Sequence, residues 1–273
     1  MKDATLAANA ASGQLPTREE LTALYAVANR FEGMMVNLSI DLFSALMRDQ
    51  TARGIVGNVI EFGVYRGKSA SVLALNAPRE SEVHLIDIAD YPEAEKLQPL
   101  HPKLSIIKAR SEEYIGTSEG DQFQDIRFSH HDASHYFRNV EAEVGFIFNK
   151  VRDDGIIVLD DFGFHYAQVM AAYFYLRYQK KMPFEIFLVA GNKAYLCHED
   201  NFEYYENFLI SSLVNWMEET GVRYSLVRTD NDVRYRGFHL AAMAKPDAPR
   251  LYGVNTWGMT FYTPGKAPYT PGK

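Results

Sequence analysis

The stretch Asn58-Val59-Ile60-Glu61-Phe62-Gly63-Val64-Tyr65-Arg66-Gly67-Lys68-Ser69 decides the fold. Its first half is a short apolar run suited to a buried strand, and two glycines then break it before the helix-forming segment Lys68–Asn76. On the C-terminal side the same alternation recurs. Val59–Phe62, Val83–Asp87, Leu104–Ile107, Ile126–Asp132 and Ile156–Leu159 read as strands, and His135–Arg152 and a segment from His165 to about Lys180 read as helices. Strands separated by helices predict an α/β chain with a Rossmann-like, doubly wound, mostly parallel seven-stranded sheet, covered on both faces. Phe184–Ala190 and Lys193–His198 flank the turn pair Gly191-Asn192, so the sheet is expected to finish in an antiparallel hairpin.

On the N-terminal side, residues 1–15 are small and polar and are expected to be mobile. Thr17 and Glu20 have the spacing of a capping box. Apolar residues then recur at Leu21, Leu24, Ala28, Phe31, Met35, Leu38, Leu42 and Leu46, a helical stripe with a break expected near Gly33. Beyond the hairpin, a helix is expected over Phe202–Glu219, ended by Gly221, followed by strand-like runs Arg223–Arg228 and Phe238–Ala244. The repeat Tyr262–Lys266 and Tyr269–Lys273 is rich in proline and glycine and reads as irregular, either an aromatic-bearing flap over a site or a loose tail, with the final residues read as tail. These shifts predict three segments: N-terminal helices over 1–50, a ligand-binding core over 51–200, and a C-terminal extension over 201–273 that serves the acceptor pocket or an interface.

With 47% hydrophobic and 23% charged residues, the chain has the balance of a globular protein, not a disordered one. Its net charge of -7 gives no electrostatic reason to expect nucleic acid or an anionic membrane as partner. The single cysteine, Cys197, excludes an internal disulfide and a cysteine-built zinc site, and it lies in an apolar run that reads as buried strand. Residues 1–14 lack the basic-then-apolar order of a signal peptide, and no apolar run nears the roughly 18 residues that span a bilayer. A cytoplasmic address and no membrane partner are expected.

Chemistry concentrates where the strands end. Glycines at the corner after the first strand admit a ligand close to the backbone, and the new helix offers free amides. A dinucleotide fingerprint would continue G-x-G-x-x-G under a pyrophosphate. Here Glu61 precedes the first glycine and only Gly63 and Gly67 are present. An acid at that point repels a pyrophosphate but suits the ammonium of an amino-acid moiety, which favours S-adenosylmethionine over NAD. The bland alternative is a tight turn with no ligand. Asp87, at the end of the second strand, can accept the ribose hydroxyls of an adenosine.

Two acidic clusters close the fourth and fifth strands: His130-His131-Asp132-Ala133-Ser134-His135 and Asp160-Asp161. Adjacent strands ending on one edge would bring Asp132, Asp160 and Asp161 together, and three such carboxylates repel one another unless a cation neutralises them. Oxygen donors of this kind suit Mg²⁺ or Mn²⁺. The alternative is that one or two of these acids merely cap helices. His130 and His131 must face opposite sides of their strand. His135, three residues past Asp132, can face the same ligand and is the expected general base, because an unperturbed imidazole titrates near neutrality. His130 and His165 are expected to be surface or satisfied histidines.

At these residues the sequence resembles the metal-dependent sugar O-methyltransferases of the macrocin and mycinamicin type, within the class I methyltransferases. The resemblance runs from about residue 50 to 198. It is carried by Gly57–Gly67, by His131-Asp132-Ala133-Ser134-His135-Tyr136, and by Asp154-Gly155-Ile156-Ile157-Val158-Leu159-Asp160-Asp161-Phe162-Gly163. It implies that Glu61, Gly63, Tyr65, Gly67 and Ser69 cradle the methionine end of S-adenosylmethionine, that Asp87 holds the ribose, and that Ser111 lies beside the adenine. It also implies that Met35 closes over the cofactor, that Asp132, Asp160 and Asp161 ligate Mg²⁺ or Mn²⁺, and that His135 is the base. Many relatives carry a second Asp where Ser134 stands. The implied activity is methylation of a hydroxyl on a small molecule, a sugar or glycosylated natural product, by a homo-oligomer. A catechol-type O-methyltransferase and a non-catalytic binding or scaffold protein are the alternatives, with a non-haem iron oxygenase on His135, His131 and an Asp more remote.

Overall fold

The computed structural model describes residues 6–7, 9–10, 12–90, 93–163, 167–228, 234–242, 250–251, 254–255, 260–263 and 265–268. The strands are β1 Asn58–Phe62, β2 Val83–Asp87, β3 Leu104–Lys108, β4 Ile126–His131, β5 Val151–Leu159, β6 Phe184–Ala190, β7 Lys193–His198, β8 Tyr224–Arg228 and β9 Phe238–Ala242. The short pieces β10 Arg250–Leu251, β11 Val254–Asn255 and β12 Thr260–Tyr262 follow. Strands β1 to β5 pair in parallel in the order β3-β2-β1-β4-β5, and the hairpin β6–β7 docks antiparallel on β5 through β7. The doubly wound, mostly parallel α/β fold read from the sequence is the fold observed.

Among the described residues the sheet has ten strands, three more than the seven expected. Runs assigned to a separate extension continue it: β9 pairs in parallel with β6, β8 antiparallel with β9, and β12 antiparallel with β8. The hairpin leaves the far edge of β6 unpaired, and unpaired strand edges recruit strands. Tyr262, expected in irregular structure, therefore ends a strand and is buried. The second copy of the repeat, Tyr269–Lys273, and the N-terminal end of the helix expected from His165 lie outside the described residues.

Period-two alternation sends side chains of each strand to two apolar layers. Val59, Leu85, Phe128, Val158, Tyr195 and Cys197 join helices Arg18–Ala28, Asn37–Ala52 and Lys68–Asn76 in one cluster, which also takes in Trp216, Leu240 and Tyr262. Ile60, Phe62, Ile86, Ile157, Leu159 and Leu196 meet helices Phe137–Lys150 and Ala167–Phe174 in the other. The first layer contains residues of all three expected segments. The N-terminal stripe is two helices with a break over 29–36, and the Thr17–Glu20 capping box forms. Leu6 and Ala10, in the stretch expected to be mobile, are buried. Within the described residues, no helix is long and apolar enough to cross a membrane.

Candidate active site

Register sets the site. Glu61 pairs with His130 and with Leu85, and His131 pairs with Phe62 and with Leu159. The residues just past these pairs fall in one row: the amide of Asp132 donates to the Phe62 carbonyl (2.8 Å), and that of Asp160 to the His131 carbonyl (2.9 Å). Asp87, Gly63, Asp132 and Asp160 thus mark the carboxyl end of four neighbouring strands, where open α/β sheets bind ligands.

A cleft of about 440 Å³ opens there, lined by Gly63, Tyr65, Asp87, Ser111, Asp132 and Tyr136 among others. Gly63 sits at φ +83°, and a Cβ on it would lie 2.0 Å from the Asp132 carbonyl oxygen, so only glycine lets the first strand's corner approach the end of β4. Asp87 organises the corner. Its Oδ2 accepts from the amides of Val64 (2.7 Å) and Tyr65 (2.9 Å), and its Oδ1 from that of Ala89 (2.8 Å). A carboxylate has about four lone-pair positions, so capacity remains for ligand hydroxyls. The Ser111 hydroxyl donates to Glu143, a buried carboxylate whose other oxygen meets His131 Nε2. With its proton committed, Ser111 Oγ can only accept from a group in the cleft.

The other four expected cofactor contacts do not line the cleft. Met35 is buried in the first apolar layer. Gly67 caps the helix Lys68–Asn76 at φ +98°, where a Cβ would lie 2.8 Å from Leu97 Cδ1. Ser69 is buried in that helix. Glu61 is fully buried: its Oε1 accepts from His130 Nδ1 (2.7 Å), and its Oε2 has no hydrogen-bond partner among the described residues. His130 and His131 do face opposite sides of β4. Neither is a surface residue.

The three expected metal acids gather as two overlapping groups, because Asp160 and Asp161 are consecutive and diverge. Ligand atoms of His130, Asp132 and Asp160 lie within 4.8 Å of one another, as do those of Asp132, His135 and Asp161. Asp161 takes a left-handed φ of +51°, a strained position of the kind that clusters at functional sites. It is fixed on both sides: Asn192 Nδ2 donates to its Oδ1 (2.8 Å), and His135 Nε2 lies 2.9 Å from its Oδ2. Burial pushes the Asp132 carboxyl well above the usual range, and the neighbouring Asp160 charge adds to the effect. For Asp160 burial acts the same way, but the Lys193 ammonium and His130 outweigh it and hold the carboxyl low. Of the two hydrogen-bonded carboxyls, Asp132 is the one pushed towards its protonated form and Asp160 the one held towards the carboxylate. Burial, reinforced by Lys193, also lowers His130, which stays neutral.

Comparison with known proteins gives the fold its place. Residues 60–162 match the family model of a methyltransferase domain. The matched span contains Glu61, the cleft corner, Asp87, Ser111, Asp132, His135, Asp160 and Asp161. The structure is also similar to that of the O-methyltransferase NovP, at TM-score 0.50 and 12% identity, over 58% of this chain and 78% of that one. It is similar to the calicheamicin methyltransferase CalS11 at TM-score 0.50 and 13% identity, over 72% and 91% of the two chains. These likenesses show a shared methyltransferase fold. No curated protein sequence matches the chain.

The sequence reading gave no site role to Glu143 or Lys193. Glu143 falls in the apolar stripe Val140, Val144, Ile147 of its helix, and a charge in such a stripe is a signal that it has a buried partner. Lys193 opens an apolar strand beside a turn, which gave no hint that it would reach Asp160.

Proposed function

We propose that this chain is an S-adenosylmethionine-dependent O-methyltransferase that acts, with a divalent cation, on a hydroxyl of a small molecule, a sugar or glycosylated natural product. The observation that carries the reading is the double placement of Asp132, which lines the cleft and belongs to both acid–imidazole groups. Donor and acceptor sites that share a residue lie within reach of a single displacement.

The residues fit both groups. For the cofactor, the cleft offers an acid at the ribose position, an acceptor-only Ser111 hydroxyl, and a glycine corner. The Oε2 of Glu61, without a hydrogen-bond partner among the described residues, supports an ammonium nearby. For the cation, the three acids gather with His130 and His135 in two groups that share Asp132, the ligand atoms of each group lying within 4.8 Å of one another. Asp132, Asp160 and Asp161 would hold Mg²⁺ or Mn²⁺, with His135 beside them. When bound, S-adenosylmethionine supplies an electrophilic methyl and the cation supplies Lewis acidity that lowers the pKa of a hydroxyl.

His135 then removes the acceptor's hydroxyl proton, and the Asp161 carboxylate, 2.9 Å from its Nε2, orients the ring and stabilises the imidazolium. The test is calorimetric titration with S-adenosylhomocysteine, then turnover on sugar-bearing and catechol acceptors with and without EDTA. His135→Ala is expected to bind S-adenosylhomocysteine as the wild type does and to lose roughly 10²–10⁴-fold in kcat. Failure of the wild type to bind S-adenosylhomocysteine, or full turnover of His135→Ala, overturns the reading.

A further inference from the structure

The tip of the β6–β7 hairpin closes on the acidic rim. Asn192 donates through Nδ2 to Asp161, and its carbonyl accepts from the amide of Phe162 (2.7 Å). The next residue, Lys193, places Nζ 2.6 Å from Asp160 Oδ1, with side chains only 3% and 9% exposed. The same Asp160 oxygen accepts from the amide of Asp161 (2.8 Å). A lysine is almost never this buried without a charge to answer, and it arrives here on a strand that otherwise carries Ala194, Tyr195, Leu196 and Cys197 into the core.

A second feature points to the same place. His130 is fully buried, its Nδ1 is held by Glu61, and its Nε2 has no hydrogen-bond partner among the described residues. It nevertheless offers a ring nitrogen within 4.8 Å of the Asp132 and Asp160 carboxylates. The inner half of the rim, with His130 and Asp160 buried, thus already holds a cation, the Lys193 ammonium. The outer half, Asp132, His135 and Asp161, is half-buried, and Asp132 there lines the cleft. Water and an acceptor oxygen can complete a coordination shell only there.

We propose that Lys193 is a positioning residue that acts as the resident cation of the rim: its ammonium satisfies Asp160, so that a divalent ion is held chiefly by Asp132 and Asp161 and less tightly than the acids alone would hold it. The inference rests on the metal-assisted reading above. A unit positive charge a few ångströms from a divalent ion repels it strongly in a buried setting. Removing it tightens the ion and makes Asp160 available as a ligand, whereas a merely structural Lys193 would, when removed, loosen the acids and weaken binding.

The experiment titrates Mn²⁺ into the full chain, followed by calorimetry and by the electron spin resonance of free Mn²⁺. Lys193→Met is expected to bind Mn²⁺ at least roughly tenfold more tightly than wild type, about 1.4 kcal/mol, and Lys193→Arg to bind it as wild type does. Asp161→Asn is expected to weaken wild-type binding more than Asp160→Asn. Lys193→Gln replaces the methionine variant if thermal melting shows the latter unfolded. Unchanged or weaker Mn²⁺ binding in a folded, uncharged variant overturns the proposal, as does a larger loss from Asp160→Asn than from Asp161→Asn. S-adenosylhomocysteine is titrated separately into the same variants. Loss of its binding in the wild type bears on the methyltransferase reading, whereas the Mn²⁺ titrations alone decide the role of Lys193.

Discussion

Replacing Gly63 by alanine strikes the point where the cofactor corner and the acidic rim touch. The added Cβ would sit 2.0 Å from the Asp132 carbonyl oxygen, 2.4 Å from its carbon and 2.7 Å from Ala133 Cα. All three are backbone atoms, so no side chain can swing aside, and the ends of β1 and β4 must part by about 1 Å to restore a contact near 3 Å. The residue also keeps φ at +83°, which costs an L-residue about 1–2 kcal/mol. Overpacking of a rigid contact adds about 1–3 kcal/mol. Together these give a loss of roughly 2–5 kcal/mol in unfolding free energy. Gly54→Ala is the control: it shares a positive φ of +72° but meets nothing within 4 Å, so it bears the conformational cost alone. The assay is urea denaturation of both variants, with S-adenosylhomocysteine titration of each. Parting the strand ends moves Asp132 away from the cleft, so Gly63→Ala is expected to lose ligand affinity even where it remains folded, while Gly54→Ala keeps it. Equal stability of the two variants, with equal ligand affinity, would refute the reasoning.

Two further substitutions test other parts of the account. Asp87→Asn removes one of the two oxygens that together accept three corner amides; it is expected to cost about 1–3 kcal/mol of stability and to weaken S-adenosylhomocysteine binding in calorimetry by roughly tenfold or more. Asp41 is buried, which pushes its carboxyl up to about 6 despite a hydrogen bond from Tyr25. Because its folded pKa lies above the unfolded value near 3.9, the folded state holds the extra proton between about pH 4 and 6, and stability falls as pH rises through that window. Asp41→Asn, read by urea denaturation across pH, is expected to exceed wild type by up to about 3 kcal/mol at pH 8 and to converge on it below about pH 4.

What was legible in the sequence followed from local rules. Asp87, Asp132, Asp160 and Asp161 could be placed because each ends an apolar run, and parallel register carries strand ends to one edge. His135 followed from its spacing to Asp132. The opposite facing of His130 and His131 came from alternation alone. What escaped depended on long-range closure. Lys193 meets Asp160 only because β7 folds back antiparallel to β5, with Ala194 opposite Leu159, and nothing local to Gly191-Asn192-Lys193 encodes that partner. Glu61 read as a ligand acceptor from its place before Gly63, but its hydrogen bond with His130 depends on the pairing of β1 with β4, which nothing local encodes. The breadth of the sheet was hidden for the same reason: Phe238–Ala242 is recognisable as a strand, but its union with β6 is a contact across some fifty residues.

The central claim is that a cofactor cleft and a cation-binding acid rim share Asp132 on one edge of the sheet. Its most direct test is a crystal grown with S-adenosylhomocysteine and Mn²⁺, with the metal located by anomalous scattering. The account predicts the adenosyl group between Asp87 and Ser111 and a Mn²⁺ peak against the Asp132 carboxylate, on the side facing Asp161. Ligand density elsewhere, or a metal peak remote from Asp132, would contradict it.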